Sequence, residues 1–146
     1  MRVQDILAHK GDRVVAVSEA AGLAQALRMM SEARIGALVV EDARGALTGV
    51  LSEREVVAAL ARRGAAALGR PVREAMVAAP ATVGPQDAVT HAMAVMTERR
   101  ARHLPVVSGG RVVGLLSTGD VVKSRLSEKT DEARVLQDLA RWRRAA

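Results

Sequence analysis

The chain has 146 residues, of which 49% are hydrophobic and 26% are charged, and it contains no cysteine. This composition is typical of a globular protein, and it excludes a disordered or fibrous chain, a disulfide framework and a thiolate metal site. The formal net charge is +6, which would suit an anionic partner, but Trp142 is the only aromatic residue. Stacking platforms for single-stranded nucleic acid, which need several aromatic side chains, are therefore excluded.

The excess positive charge is concentrated in short arginine clusters. These are Arg62-Arg63, Arg99-Arg100 with Arg102, and Arg141 with Arg143-Arg144. We favour solvated arginines near the negative ends of helix dipoles, with a nucleic-acid surface as the alternative. No apolar run approaches the roughly 20 residues of a membrane-spanning helix, and the N-terminus lacks a secretion signal. The expected location is the cytoplasm.

In chain order, the apolar pattern predicts one series of elements twice: a helical lead-in, a short strand, a long helix, a β-hairpin and a second helix. The first series lies at 3–7, 13–17, 21–33, 35–41 with 46–51, and 53–63, and the second at 72–76, 81–83, 86–99, 103–107 with 111–116, and 118–127. The predicted units are 1–63 and 72–127. They are joined by a linker at 64–71 that has two glycines and a proline, and residues 128–146 follow as a C-terminal helix and tail.

A duplicated phrase supports the repeat. Gly49-Val50-Leu51-Ser52-Glu53-Arg54-Glu55-Val56-Val57 returns 65 residues later as Gly114-Leu115-Leu116-Ser117-Thr118-Gly119-Asp120-Val121-Val122. Each copy is an apolar strand after a glycine, followed by Ser-x-x-acid at the start of a helix. A unit of about 60 residues is marginal alone, so we expect the copies to pack sheet to sheet about a pseudo-twofold axis. The predicted fold class is α/β (α+β).

The Ser-x-x-acid motif has two interpretations. It matches a helix capping box, in which the serine and the acid satisfy free backbone N–H groups. A serine at a helix N-terminus also aims N–H groups at an anion, and a carboxylate can accept from two vicinal hydroxyls, which together suit a nucleotide. Asp120 is one methylene shorter than the Glu preferred in the box, which favours the ligand role there.

These motifs resemble the tandem cystathionine β-synthase (CBS) domain pair, or Bateman module, over residues 3–127. The resemblance lies in Ile35-Gly36-Ala37-Leu38-Val39-Val40 and Arg102-His103-Leu104-Pro105-Val106-Val107, together with the duplicated phrase. It implies a free-standing pair of the bacterial type, regulated by AMP, ADP, ATP or S-adenosylmethionine held between the two halves. No tightly bound cofactor is implied.

The resemblance also implies the site residues. In the second half they are Thr82, Val83, His103, Leu104, Pro105, Ser117, Thr118 and Asp120, with Asp120 on the ribose hydroxyls and Ser117 near the phosphate. In the first half they are Val17, Ile35, Gly36, Ala37, Ser52, Arg54 and Glu55. The family usually has Asp where this chain has Glu55. We therefore expect the Asp120 cleft to be the tighter site, and the Glu55 cleft to be weak, altered or empty.

Two residues near the second motif keep open alternatives. His103 is either a ligand to a base or phosphate, or a partly buried histidine at a strand end. Arg102 either faces a phosphate or is solvated. His9 and His91 lie too far from His103 in sequence to form a local ligand pair, so no metal site is expected. No catalytic triad spacing or Walker loop occurs, so we expect no enzyme.

The tail carries Leu136, Leu139-Ala140 and Arg143 on one helical face. An isolated helix of this length is marginal, so we expect it to pack on its own module or on a second chain, with Trp142 as an anchor or lid. The predicted function is a regulatory CBS-pair homodimer that binds an adenosyl ligand and changes its packing to signal to an unidentified protein partner. The rival functions are a structural protein-interaction module without a ligand and a basic nucleic-acid-binding protein.

Overall fold

The structure, a computed structural model, describes residues 1–11 and 13–145. Its elements are α1 (Val3–Lys10), β1 (Ala16–Ser18), α2 (Leu23–Ala33), β2 (Ala37–Glu41), β3 (Leu47–Ser52), α3 (Glu53–Arg63), 3-10 turns at Gly64–Gly69 and Val72–Glu74, β4 (Val77–Ala78), α4 (Val89–Arg99), β5 (His103–Ser108), β6 (Arg111–Ser117) and α5 (Thr118–Ala145). The predicted α/β fold with two β-hairpin repeats and a C-terminal helix is confirmed.

Each repeat has its own sheet. In the first sheet the strand order is β1-β2-β3-β4, with β1 parallel to β2 and the other pairs antiparallel. The second sheet is the antiparallel pair β5-β6. The strand predicted at 81–83 is reduced to one parallel bridge between Val83 and Val106. Pro80 and Pro85, which lack backbone N–H groups, flank this segment and limit its pairing.

The two lead-in segments exchange places. Val3, Ile6 and Leu7 of α1 are buried in the core of the second repeat, and Val72 is buried in the core of the first. Main-chain hydrogen bonds fix both crossings: the Val3 amide donates to the Asp87 carbonyl over 2.9 Å, and the Val72 amide donates to the Ala21 carbonyl over 2.8 Å. Each repeat therefore completes its core with a segment that precedes the other repeat in sequence.

Gly49 and Gly114, the equivalent glycines of the duplicated phrase, lie against the two crossing segments. A Cβ on Gly114 would lie 2.7 Å from a methyl carbon of Leu7. A Cβ on Gly49 would lie 2.9 Å from both Met76 Cγ and the Val77 carbonyl oxygen, and closer still to Met76 Sδ. Real Cβ atoms essentially never approach other heavy atoms so closely. Each glycine thus leaves room for the segment that crosses from the opposite repeat.

The segment between the repeats is more ordered than its glycines suggested. Residues Gly64–Gly69 form a 3-10 helix, in which Ala67 is buried against the first core. Arg70 pairs with Glu74 through two hydrogen bonds of 2.7 Å. The connection is therefore part of the packed structure.

The last helix of the second repeat and the predicted tail helix are one element. Helix α5 runs for 28 residues without a break near residue 127. No glycine or proline follows Gly119, so the sequence has no residue there that would end a helix. Residues 129–143 are exposed, and Trp142 is 80% exposed, so Trp142 does not form a lid on its own module.

In residues 1–11 and 13–145, no helix is long and apolar enough to cross a membrane.

The tight contact at Gly49 leads to a stability prediction. Gly49→Ala should lower the free energy of unfolding by about 1–3 kcal/mol, because the new methyl group meets the backbone of the crossing segment as well as Met76. Urea unfolding followed by circular dichroism measures the change. Gly69→Ala is the matched control, since a Cβ there meets nothing within 4 Å. Equal effects of the two substitutions would contradict the steric explanation.

Candidate functional site

Two cavities lie between the repeats. The larger has a volume of about 370 Å³, and residues of both repeats line it. Its lining is Val50, Ser52, Arg54 and Glu55 from the first repeat, Val77, Ala79, Pro80 and Ala81 from the segment leading into the second, and Arg99, Arg100, Ala101, Arg102 and His103 around the start of β5. We call it the arginine cleft.

In the arginine cleft, the Ser-x-x-Glu motif forms a capping box. The Ser52 amide donates to Glu55 Oε2 over 3.0 Å, and the Ser52 hydroxyl donates to the same oxygen. Ser52 is the buried residue that immediately precedes α3. The carboxylate is thus engaged by its own helix N-terminus, which is the capping interpretation of this motif.

Cationic side chains outnumber acids around this cleft. Arg54, Arg99, Arg100 and Arg102 line it, with Glu55 as the opposing acid among the lining residues. Two residues of the wall, Ala79 and Arg100, have positive φ values of 45° and 50°. Arg100 has this left-handed conformation because it ends α4, as Arg34 ends α2. The arrangement suits an anionic ligand.

The smaller cavity has a volume of about 250 Å³ and lies at the second motif. Its lining is Lys10, Gly11, Arg13, Val15, Ile35, Gly36 and Ala37 from the first half of the chain, and His103, Leu115 and Ser117 from the second. We call it the lysine cleft. The serine of the second motif therefore meets strand-end residues of the first repeat.

Asp120, the acid of that motif, is held by Lys10. Lys10 Nζ donates to Asp120 Oδ2 over 2.6 Å and to the Leu115 carbonyl over 2.8 Å. The same carboxylate oxygen accepts from the Ser117 amide over 2.8 Å, and the Asp120 amide donates to Ser117 Oγ over 3.1 Å. Although Asp is the shorter acid, it closes a capping box and also binds a lysine from the opposite repeat.

These contacts alter the acidity of Asp120. Burial is the largest single influence and would raise the pKa of the carboxyl. The hydrogen bonds from Lys10 and Ser117 together outweigh it, so the pKa lies below its ordinary value. Asp120 is therefore ionised at neutral pH and can accept hydrogen bonds but not donate them.

His103 lines both clefts. Burial of the imidazole lowers its pKa below the ordinary value of 6.5, and the Lys10 charge acts in the same direction. The carboxylates of Glu55 and Asp120 oppose that change but do not reverse it. His103 is thus a neutral donor and acceptor in the wall between the clefts.

Comparison with known proteins identifies the family. The family model for the CBS domain matches the chain twice, at residues 3–62 and 72–127. The chain belongs to the CBS domain family.

Solved CBS proteins share the fold. A CBS-domain protein of Agrobacterium tumefaciens, ATU1752, has a TM-score of 0.81 at 39% identity, covering 85% of this chain and 92% of that one. A CBS domain protein of Pyrobaculum aerophilum, PAE2072, whose structure contains AMP, has a TM-score of 0.73 at 28% identity, covering 82% and 89%.

Among curated relatives, the mitochondrial CBS domain-containing protein CBSX3 of Arabidopsis thaliana is 32% identical over 111 residues. That match covers 73% of this chain and 54% of the Arabidopsis protein. The chain thus spans about half the length of this relative.

Within this CBS pair, the predicted site residues are grouped differently than expected. Ser52, Arg54 and Glu55 line the arginine cleft, whereas Ile35, Gly36 and Ala37, expected beside them, line the lysine cleft with Ser117. The remaining predicted residues, apart from His103, line neither cleft. Val17, Val83, Leu104 and Pro105 are buried, Thr82 is exposed, Thr118 bonds the Arg102 carbonyl, and Asp120 is reached through Lys10.

Sequence reasoning missed Lys10 and Arg13 in the lysine cleft. Lys10 lies 110 residues before Asp120, and no local pattern in the sequence links them. Arg99 and Arg100 were noted as a charge cluster, but without a position in the fold. The exchange of lead-in segments, which the repeat pattern does not reveal, brings Lys10 to the second motif.

The position of His103 leads to a pH prediction. Because its folded-state pKa is lowered, the unfolded chain binds a proton near pH 6.5 that the folded chain does not. The free energy of unfolding should therefore fall as the pH drops from about 7.5 to about 5.5. His103→Gln should reduce this fall, as measured by urea unfolding at both pH values.

The control is His91→Gln, which changes an exposed histidine on α4. This variant should retain the full pH dependence of the wild-type chain. An unchanged slope in His103→Gln would show that the partly buried imidazole does not cause the loss of stability.

Proposed function

We propose that the chain is a regulatory module, without catalytic activity of its own, that binds an adenosyl ligand between its repeats. The observation that carries this proposal is that two clefts are each built from both repeats, and each contains a serine at the start of a helix together with cationic side chains. Helix N-termini and arginines attract phosphate. The presence of AMP in the related Pyrobaculum protein supports the choice of ligand class.

We propose the arginine cleft as the stronger nucleotide site. Its volume of about 370 Å³ falls within the range of about 300–1,000 Å³ typical of small-molecule sites, whereas the lysine cleft is smaller. Arg54, Arg100 and Arg102 would face the phosphate. In the lysine cleft, a ribose would have to compete with Lys10 for the Asp120 carboxylate. This ranking is the opposite of the one expected from the sequence.

Ligand binding would act through the packing of the two repeats. Because each cleft is lined by both repeats, a ligand that fills it contacts both at once and stabilises one relative arrangement. His103, shared by the two clefts, would transmit a change in one to the other. The altered arrangement is the signal that a partner protein would recognise.

A thermal-shift panel tests ligand binding. AMP, ADP, ATP and S-adenosylmethionine are each titrated, and at least one adenosine phosphate should raise the melting temperature, because it binds the folded chain and not the unfolded one. Adenosine should stabilise less, since it lacks the phosphate. Absence of a shift with every compound would favour a structural interaction module, a function that both capping boxes also allow.

Substitution of Arg102 tests the role of the arginines. Arg102→Met should weaken binding of AMP by at least about tenfold while changing adenosine binding little, because a charge-assisted phosphate contact is lost. The matched control is Arg111→Met, at the exposed start of β6 outside both clefts. Calorimetry gives affinity and stoichiometry for each variant.

Asp120→Asn tests the ranking of the clefts. It preserves a side-chain oxygen for the Ser117 amide and removes the ion pair with Lys10. The tighter AMP site should persist in this variant at one site per chain. If Asp120→Asn removes the tighter site while Arg102→Met retains it, the lysine cleft is the principal site and the proposed ranking is reversed.

A further inference from the structure

The C-terminal half of α5 is an uncovered amphipathic helix. From residue 129 to residue 143 every residue is exposed, including four large apolar side chains. Val135 is 58% exposed, Leu136 66%, Leu139 58% and Trp142 80%. A helix of this length is marginal in water unless packing supports it. The exposure of its apolar residues therefore requires an explanation.

The apolar residues form a stripe. Val135, Leu139 and Trp142 follow one another at i, i+4 and i+7, the spacing that places side chains on one face of a helix, and Leu136 lies beside them. This stripe, Val135-Leu139-Trp142, has the composition of an interface anchor, since tryptophan and leucine bury large apolar areas. The stripe therefore presents an apolar face of the kind that packs against another helix.

Charge on either side of the stripe indicates the partner. Before the stripe lie three acids, Glu128, Asp131 and Glu132, with Lys129 and Arg134 among them, and Arg141 and Arg143 flank Trp142 at its other end. Two such helices in antiparallel orientation bring the acidic end of one against the basic end of the other. A parallel pair would oppose like charges, and a nucleic acid would meet the acidic residues while leaving the stripe exposed.

We propose that the stripe Val135-Leu139-Trp142 binds the same stripe of a second copy of this chain, with the two α5 helices antiparallel about a twofold axis. Such an isologous contact uses one surface twice, and it brings Glu132 of each helix near Arg143 of the other. The interface is separate from both clefts, so it does not depend on the proposed ligand.

Trp142 provides a direct test, because the chain contains no other tryptophan and no tyrosine. In the associated full-length chain, Trp142 emission should lie at shorter wavelength and should be protected from iodide quenching. On dilution both properties should be lost at the concentration where sedimentation shows the mass falling by half. Leu139→Asp should weaken association at least about tenfold, as expected for a central interface leucine.

The matched control is Gln137→Asp, which adds the same charge two residues away, about 200° around the helix and outside the stripe. It should associate like the wild-type chain. If Trp142 stays fully quenchable at every concentration, the proposal is overturned, even if the chain dimerises, because the dimer must then use another surface. Equal weakening by the two aspartates would overturn the stripe as the contact.

Charge reversal tests the orientation. Glu132 and Arg143 are eleven residues apart, about 16 Å along a helix, so they cannot pair within one chain. Glu132→Arg and Arg143→Glu should each weaken association about three- to tenfold, and the double variant should recover most of the loss. Without recovery, or with single variants that associate as well as wild type, the antiparallel pairing is wrong.

Discussion

The crossing of the two lead-in segments is the constraint on which the arrangement depends. Val3, Ile6 and Leu7 complete the second core, and Val72 completes the first. With these segments exchanged, neither repeat has a closed core of its own, and the repeats are joined in both directions. The clefts lie where segments of both repeats meet, so each cleft is lined by side chains from both repeats. Lys10 at the end of α1 contacts Asp120 for this reason.

The two serine-acid motifs have the same local structure but different neighbouring side chains. Both close a capping box at the start of a helix, with bonds of 3.0 Å and 2.8 Å from the serine amide. Around Glu55 the surrounding charges are arginines that leave an open cavity, whereas around Asp120 a lysine binds the acid directly. The difference between the repeats therefore comes from the residues that meet each motif, more than from the length of its acid.

The duplicated phrase and the apolar spacing were enough to predict the helices, the hairpins and the family, because these depend on residues close together in the chain. Gly45, Gly109 and Gly110 have the positive φ values that their turns require. The partners of each motif depend on contacts between residues 100 or more positions apart, such as Lys10 with Leu115. Neither composition nor periodicity records such a contact, so the prediction from sequence assigned the residues of each site to a single repeat. The unbroken α5 follows from local composition and was open to prediction from the absence of a helix-ending residue.

The exchanged lead-ins also determine the order in which the molecule can assemble during synthesis. The apolar face of α1 is synthesised more than a hundred residues before Leu116, which belongs to the same core. The first repeat is likewise incomplete until Val72 has emerged. Contacts so distant in sequence close large loops and slow the final step of folding. During synthesis α1 must therefore remain unpartnered until β6 has been made, and the two repeats reach their native state together rather than in succession.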